Sequence, residues 1–274
     1  MKRWNQRQIM LAAAAFAMVF LLGITLVGVL VKEQALVTDF SRKNLAPCRR
    51  YPFGTDWMGR DMFLRTLTGL SFSIRIGLLT ASVSAATALV MGVASAVCGR
   101  YVDGLISGLI DLVMGVPHML LLVLISFAAG KGFRGVVIGI SLTHWTSLAR
   151  VLRAEALQLK ESQYVKIAGK LGKSPFDIAV KHMSPHLLPQ LMVGAVLLFP
   201  HAILHEASIT FLGFGLSPEQ PAIGVILSES MQYLAMGKWW LAVFPGVLLV
   251  MVVRLFYTIG EAMSGLTDPG QAHR

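Results

Sequence analysis

The apolar run from Ile9 to Val31 leaves this chain little choice of environment. About 20 apolar residues in a helix span the hydrocarbon core of a bilayer. Inside that core every backbone N–H and C=O needs an internal partner, so such a run must be helical. Comparable runs recur at about Ser73–Val97, Leu105–Ala129, Gly135–Leu148 or slightly beyond, Leu187–Leu212 and Leu241–Ile259. Only 14% of the residues are charged, against about 25% in soluble domains. The expected fold class is therefore an all-α membrane protein with six transmembrane helices. Lys2, Arg3 and Arg7 precede the first run and invite a signal-peptide reading. The run is too long for a typical signal core, and no small-residue cleavage site is obvious near its end. It reads as the first span with its N-terminus inside, and parity then places both termini inside.

A net charge of +10 would suggest nucleic acid in a soluble protein. Here the basic residues are scattered among spans, so they suit anionic lipid headgroups and partner proteins, and nucleic-acid binding is not expected. Cys48 and Cys98 have neither metal-type nor disulfide-type spacing. The topology puts them near opposite sides of the membrane, with no bridge expected.

The longest polar interruption runs from about Arg150 to Pro189. It holds Arg150, Arg153, Lys160, Lys166, Lys170, Lys173 and Lys181, seven of the 24 basic residues. Ser162 can cap a helix running through Leu171, with Gly172 placed to stop it. Ser174-Pro175-Phe176-Asp177 starts another, with Ser as cap, Pro at the first helical position and Asp facing the positive helix end. This second helix is expected to end near Ser184, because Pro185 disfavours helical geometry in the residue before it. The pair is either an ordinary structured loop or a handle gripped by another protein.

The first outer segment runs from Lys32 to about Thr68 and also carries seven Lys or Arg residues, so loop charge does not orient the chain. It contains Gly54-Thr55-Asp56-x-x-Gly59-Arg60-Asp61, followed by Arg65, Gly69 and Ser73. The glycines suit tight turns, Asp or Thr can cap the next helix, and Asp56 or Asp61 can pair with Arg60 or Arg65. The segment 217–240 is expected to be a partly inserted outer piece, with Trp239 and Trp240 at the interface.

Polar residues at membrane depth are costly and point to a pathway. Asp111, His118, His144, His201, His205 and Glu206 are the candidates. Pro117 and Pro245 are expected to kink their spans. His201 and His205 stand four apart on one helix face, about 6 Å from each other. Imidazole is a common ligand for Ni, Zn and Cu, so this pair is the candidate metal contact, transient because a conducting path must release what it binds. The alternative is that the histidines only hydrogen-bond neighbouring helices. Glu206 points about 100° further round the helix. No Gly-rich phosphate loop is visible, so ATP chemistry is not expected in this chain.

The string from Gly54 to Asp61 resembles the segment before the second span in the second permease subunit of dipeptide, oligopeptide and nickel ABC importers. The inner stretch resembles the docking loop of ABC-importer permeases, whose pattern is Glu-Ala-Ala, three residues, Gly, nine residues, Ile-x-Leu-Pro. Ala168, Gly172 and Pro185 match it, while Lys166, Ile167, His182 and Ser184 replace Glu, Ala, Ile and Leu. The resemblance covers about Tyr51 to Pro269. The run His201-x-x-x-His205 through Ser208 to Phe211-Leu212-Gly213, and Ser-Leu-Thr-His144-Trp145, look closest to the nickel branch.

The resemblance implies a type I permease fold, with residues 1–31 an N-terminal span, 32–70 periplasmic, 71–265 the permease core and 266–274 a cytoplasmic tail. It implies an inner-membrane heterodimer with a homologous permease, two cytoplasmic ATPase subunits holding ATP and Mg, and an extracytoplasmic binding protein. The chain itself would be no enzyme. Lys166, Ala168, Gly172 and Pro185 would couple to the ATPase, while His182 and His186 would stay out of the passage. The expected cargo is nickel, as ion or small chelate, moved by alternating access. Two rivals are a peptide importer of the same class and an ion-coupled secondary transporter. The latter often shows internal repeats, and none is visible here.

Overall fold

The computed structural model describes residues 6–267. The charges at Lys2 and Arg3 and the tail at Asp268-Pro269 lie outside the described residues. Helix α1 (Gln6–Leu30) is followed by the short α2 (Lys32–Leu36), and a loop leads to α3 (Met62–Val97). Then come α4 (Arg100–Gly115), α5 (His118–Ala128), α6 (Gly132–Lys160), α7 (Gln163–Lys170) and the single turn α8 (Pro175–Asp177). A π-helical segment, Ile178–Met183, passes directly into α9 (Ser184–Phe211), and α10 (Ile223–Leu234) and α11 (Trp240–Thr267) complete the order.

Five stretches are long and apolar enough to cross a membrane: Arg7–Leu30, Met62–Val97, Gly132–Lys160, Pro175–Phe211 and Trp240–Leu266. The expected third span is not one kinked helix. It is two helices, α4 and α5, meeting at 99°. Val116 is extended at φ −93°, ψ 139°, and Pro117 follows at φ −53°, ψ 119°. Proline pushes its predecessor out of helical geometry, and two successive extended residues turn the chain instead of bending it. Counting this pair as one gives six spans.

Helix α3 is the centre of the packing, lying against α1, α6 and α9. Its small residues Ala81, Ser84, Ala85, Ala88, Gly92 and Ala96 are buried, as close helix approach in lipid requires. Leu70, Ile74, Leu152, Ile203, Ile223 and Ile226 fill the core beside them. Helix α1 lies outside: Ala17, Leu21 and Ile24 face α3 and α11, while Phe16, Val19 and Leu30 are exposed for lipid.

Three boundaries differ from the sequence expectation. Helix α3 begins at Met62, not Ser73, because Asp61 caps it by accepting from the Phe63 and Leu64 amides at 2.8 and 3.3 Å. Helix α6 runs on to Lys160, so Arg150 and Arg153 prolong a span instead of opening a loop. Arg153 donates to both oxygens of Asp103 on α4, at 2.6 and 2.8 Å, and Arg150 reaches Asp111 at 2.9 Å. The third difference is that the helix starting at Pro175 does not stop at Ser184. The π turn lets the Ser184 amide bond five residues back, to the Ala179 carbonyl. This displaces the carbonyl ladder that Pro185 would otherwise strike, and the helix continues into α9.

Candidate functional site

The loop before α3 is built around Asp56. Its carboxylate accepts from the Met58 and Arg60 amides, at 2.8 and 2.9 Å, and from the guanidinium groups of Arg60 at 2.6 Å and Arg65 at 2.9 Å. Asp61, the other candidate partner, is the helix cap instead. Both arginines also meet Glu229 on α10, Arg65 at 2.7 Å and Arg60 at 3.4 Å. Sequence reading does not single out Glu229. The one signal for it is the single charged residue of its helix, opposite a segment with surplus arginine. Gly59 sits at φ +77°, and a Cβ there would collide with the Asp39 carbonyl oxygen, so the motif's second glycine is required by geometry. The Thr55 hydroxyl donates to the Arg42 carbonyl and accepts from the Leu45 amide, pinning the loop onto itself.

The membrane-depth histidines gather at the break between α4 and α5. His118 opens α5 immediately after Pro117, His144 stands on α6, and His205 on α9. Their ring centroids are 4.8 Å (His118–His144), 4.5 Å (His118–His205) and 4.9 Å (His144–His205) apart. One ring nitrogen from each lies within 4.8 Å of the others. His144 Nε2 is 3.1 Å from His205 Nδ1. Beside them opens a cavity of about 640 Å³, lined by residues 113–118 together with Thr143, His144, Leu198, His201 and His205.

The expected His201–His205 pair is divided. His205 turns toward His144, while His201 Nε2 lies 3.3 Å from the Tyr257 hydroxyl, still on the cavity wall. Glu206 faces the other way and is fully buried, accepting from the Thr210 hydroxyl at 3.1 Å. Asp111 is exposed and paired with Arg150, away from the cavity lining. His118, which the expected His201–His205 pair left out, is central to the cluster.

At the far end of α6, the α7–α8 segment presents two faces. Val165, Ala168 and Met183 are buried against the bundle, while Ile167, Leu171, Phe176 and Val180 are exposed. Gly172, at φ +78°, ends α7 as its position suggests. Ser174 accepts from the Asp177 amide at 3.1 Å and donates to its carboxylate at 2.8 Å, a reciprocal cap. Ser162 does not cap α7. Its hydroxyl donates to the Leu159 carbonyl, closing the end of α6 instead. Lys166 pairs with Glu161 at 2.8 Å, and this hydrogen bond holds the Glu161 carboxyl below the usual carboxylate range. The substitution of Lys for Glu thus gives a pair within the segment. Pro185 lies in the first turn of α9, directly behind the π turn that carries the helix past it. Cys48 and Cys98 are both free and exposed.

The dipeptide transport system permease protein DppC of Bacillus subtilis (strain 168) is 27% identical over 258 residues, 94% of this chain and 81% of that protein. A putative peptide transport system permease protein of Brucella suis biovar 1 (strain 1330) is 34% identical over 223 residues, 81% of this chain and 75% of that protein. Both relatives are named for peptides and not for nickel. Among solved structures, a chain from inward-facing conformations of the MetNI methionine ABC transporter superposes with a TM-score of 0.62 at 18% identity. The match covers 76% of this chain and 98% of that one, and shows that the fold is that of an ABC-importer permease. The profile of the family described as binding-protein-dependent transport system inner membrane component matches residues 88–264. That match takes in the histidine cavity and the whole α7–α9 segment, and this multi-pass chain belongs to that family of ABC-transporter permease components.

Proposed function

We propose that this chain is the second of two permease subunits in an ATP-driven importer of dipeptides or short oligopeptides. One observation carries the substrate: peptide permeases resemble the chain over nearly its full length. This replaces nickel as the leading cargo, although the three imidazoles at the cavity still speak for a metal. The partners are a homologous permease, two cytoplasmic ATPase subunits holding ATP and Mg, and an extracytoplasmic binding protein. The complex sits in the inner membrane with both termini of this chain cytoplasmic.

The exposed apolar row Ile167, Leu171, Phe176 and Val180 is the face offered to an ATPase subunit. Nucleotide binding there biases a two-state bundle between outward and inward openings. The 640 Å³ cavity, within the range of small-ligand sites, is one wall of the passage. The test is uptake into vesicles holding the assembled complex, with labelled dipeptide and labelled nickel in parallel. ATP-dependent peptide uptake is the expected result. Nickel uptake without peptide uptake overturns the substrate, and uphill uptake by this chain alone overturns the class.

A further inference from the structure

The three imidazoles of the cluster come from three helices, and separate devices place them. The His144 Nδ1 is 3.1 Å from the Ile140 carbonyl, and the His205 Nδ1 is 2.8 Å from the His201 carbonyl. A carbonyl only accepts, so in both rings Nδ1 carries the proton and Nε2 keeps its lone pair. A backbone carbonyl that fixes the tautomer in this way is the usual second partner of a metal-bound histidine. His118 is held by the Pro117 break, and its Nε2 is buried without a hydrogen-bond partner among the described residues. Such a nitrogen has lost water and gained nothing in return.

The spacing suits a metal. With metal–nitrogen bonds of about 2.0–2.1 Å, two ligands of a tetrahedral ion stand about 3.3 Å apart. One ring nitrogen from each histidine lies within 4.8 Å of the other two, and the 3.1 Å contact from His205 Nδ1 to His144 Nε2 is a hydrogen bond that His205 gives up as its Nε2 turns to the ion. We propose that His118, His144 and His205 form a binding site for a divalent transition-metal ion, with the fourth coordination position open to the cavity. Three neutral nitrogens select the nickel-to-zinc end of the divalent series over magnesium or calcium. They bring no negative charge, and no carboxylate among the described residues lines the cavity. A doubly charged ion at this depth therefore needs an anionic companion. A short peptide chelating the ion through its amine and carboxylate would supply that charge and fit the cavity. The cargo class is thus a metal-chelated peptide or similar small chelate. This transport role rests on the importer reading; the binding site does not.

The experiment is a cobalt(II) titration of the full chain in its assembled complex, purified without a polyhistidine tag. The ligand-field absorption of a nitrogen-bound ion is the readout, and zinc(II) serves as competitor. One zinc-displaceable ion per chain is expected. His118→Ala, His144→Ala and His205→Ala should each weaken binding at least about tenfold. His182→Ala, on the docking segment, should leave it unchanged. Thermal melting of each variant separates lost binding from lost folding, and His205→Gln, which keeps a polar side chain of similar reach, provides a second variant at that position. No cobalt spectrum in the wild-type complex, or an equal loss with His182→Ala, overturns the site. Cobalt binding without peptide uptake leaves the site standing and removes the peptide reading; the reverse removes the site alone.

Discussion

Glu229 Oε2 stands 2.7 Å from an Arg65 guanidinium nitrogen, tying the loop before α3 to helix α10. Arg65 is 4% exposed at its side chain and Glu229 23%. Removing Glu229 leaves Arg60 and Arg65 sharing the single carboxylate of Asp56, and breaking a buried pair costs up to about 3–5 kcal/mol. Glu229→Ala should therefore lower the detergent melting temperature markedly. Asp111→Ala, which breaks the exposed pair with Arg150, should move it little. Equal melting of both variants would remove the energetic role of the tie.

Gly59→Ala should be severely destabilising. Its positive φ alone costs an L-residue about 1–2 kcal/mol, and the Cβ meets the Asp39 carbonyl as well. Gly23, in the middle of α1, has nothing within 4 Å of its Cβ position. Gly23→Ala should be neutral or stabilising by roughly 0.5–1 kcal/mol. Yield of folded protein and thermal melting give the comparison.

Phe176→Asp should abolish ATP-dependent uptake while leaving insertion and melting unchanged, since Phe176 is 76% exposed. Ala168→Asp is a poorer probe of the same idea. Ala168 is 6% exposed and packs inward, so its loss of function would be mixed with damage to the fold. Uptake at the normal rate by the Phe176→Asp complex would exclude this face from coupling.

Cys48 and Cys98 flank α3, whose 36 residues span about 54 Å at 1.5 Å each. That exceeds the 40–45 Å or so of a whole bilayer. A membrane-impermeant maleimide should label Cys48 in intact cells with a permeable outer envelope, and Cys98 only after the inner membrane is opened. The opposite pattern would invert the proposed orientation.

The spans were legible because an apolar run has one stable form in lipid. Helix boundaries were not, and the reasons are specific. Arg150 and Arg153 break the hydropathy pattern, yet Asp111 and Asp103 on α4 supply the opposite charges that let α6 continue. Pro185 reads as a stop until the preceding π turn is seen. Ser162 and Ser174 present the same cue, but the Ser162 hydroxyl turns back to the Leu159 carbonyl and only Ser174 caps the helix ahead of it. The histidine site shows the same limit more sharply. Sequence spacing exposes only neighbours on one helix, hence His201 and His205. The actual cluster depends on the 99° turn before His118 and on how α6 meets α9, which no local pattern encodes.

The unbroken helix from Pro175 to Phe211 has a mechanical meaning. Its 37 residues make a rod about 55 Å long, with Phe176 at one extremity and His205 near the other. If such a rod pivots at its middle by about 10°, each end sweeps roughly 5 Å, and the two ends move in opposite directions. A stroke delivered at the inner surface would thus arrive among the imidazoles as a displacement wide enough to pull apart nitrogens that now stand 3.1 Å from one another.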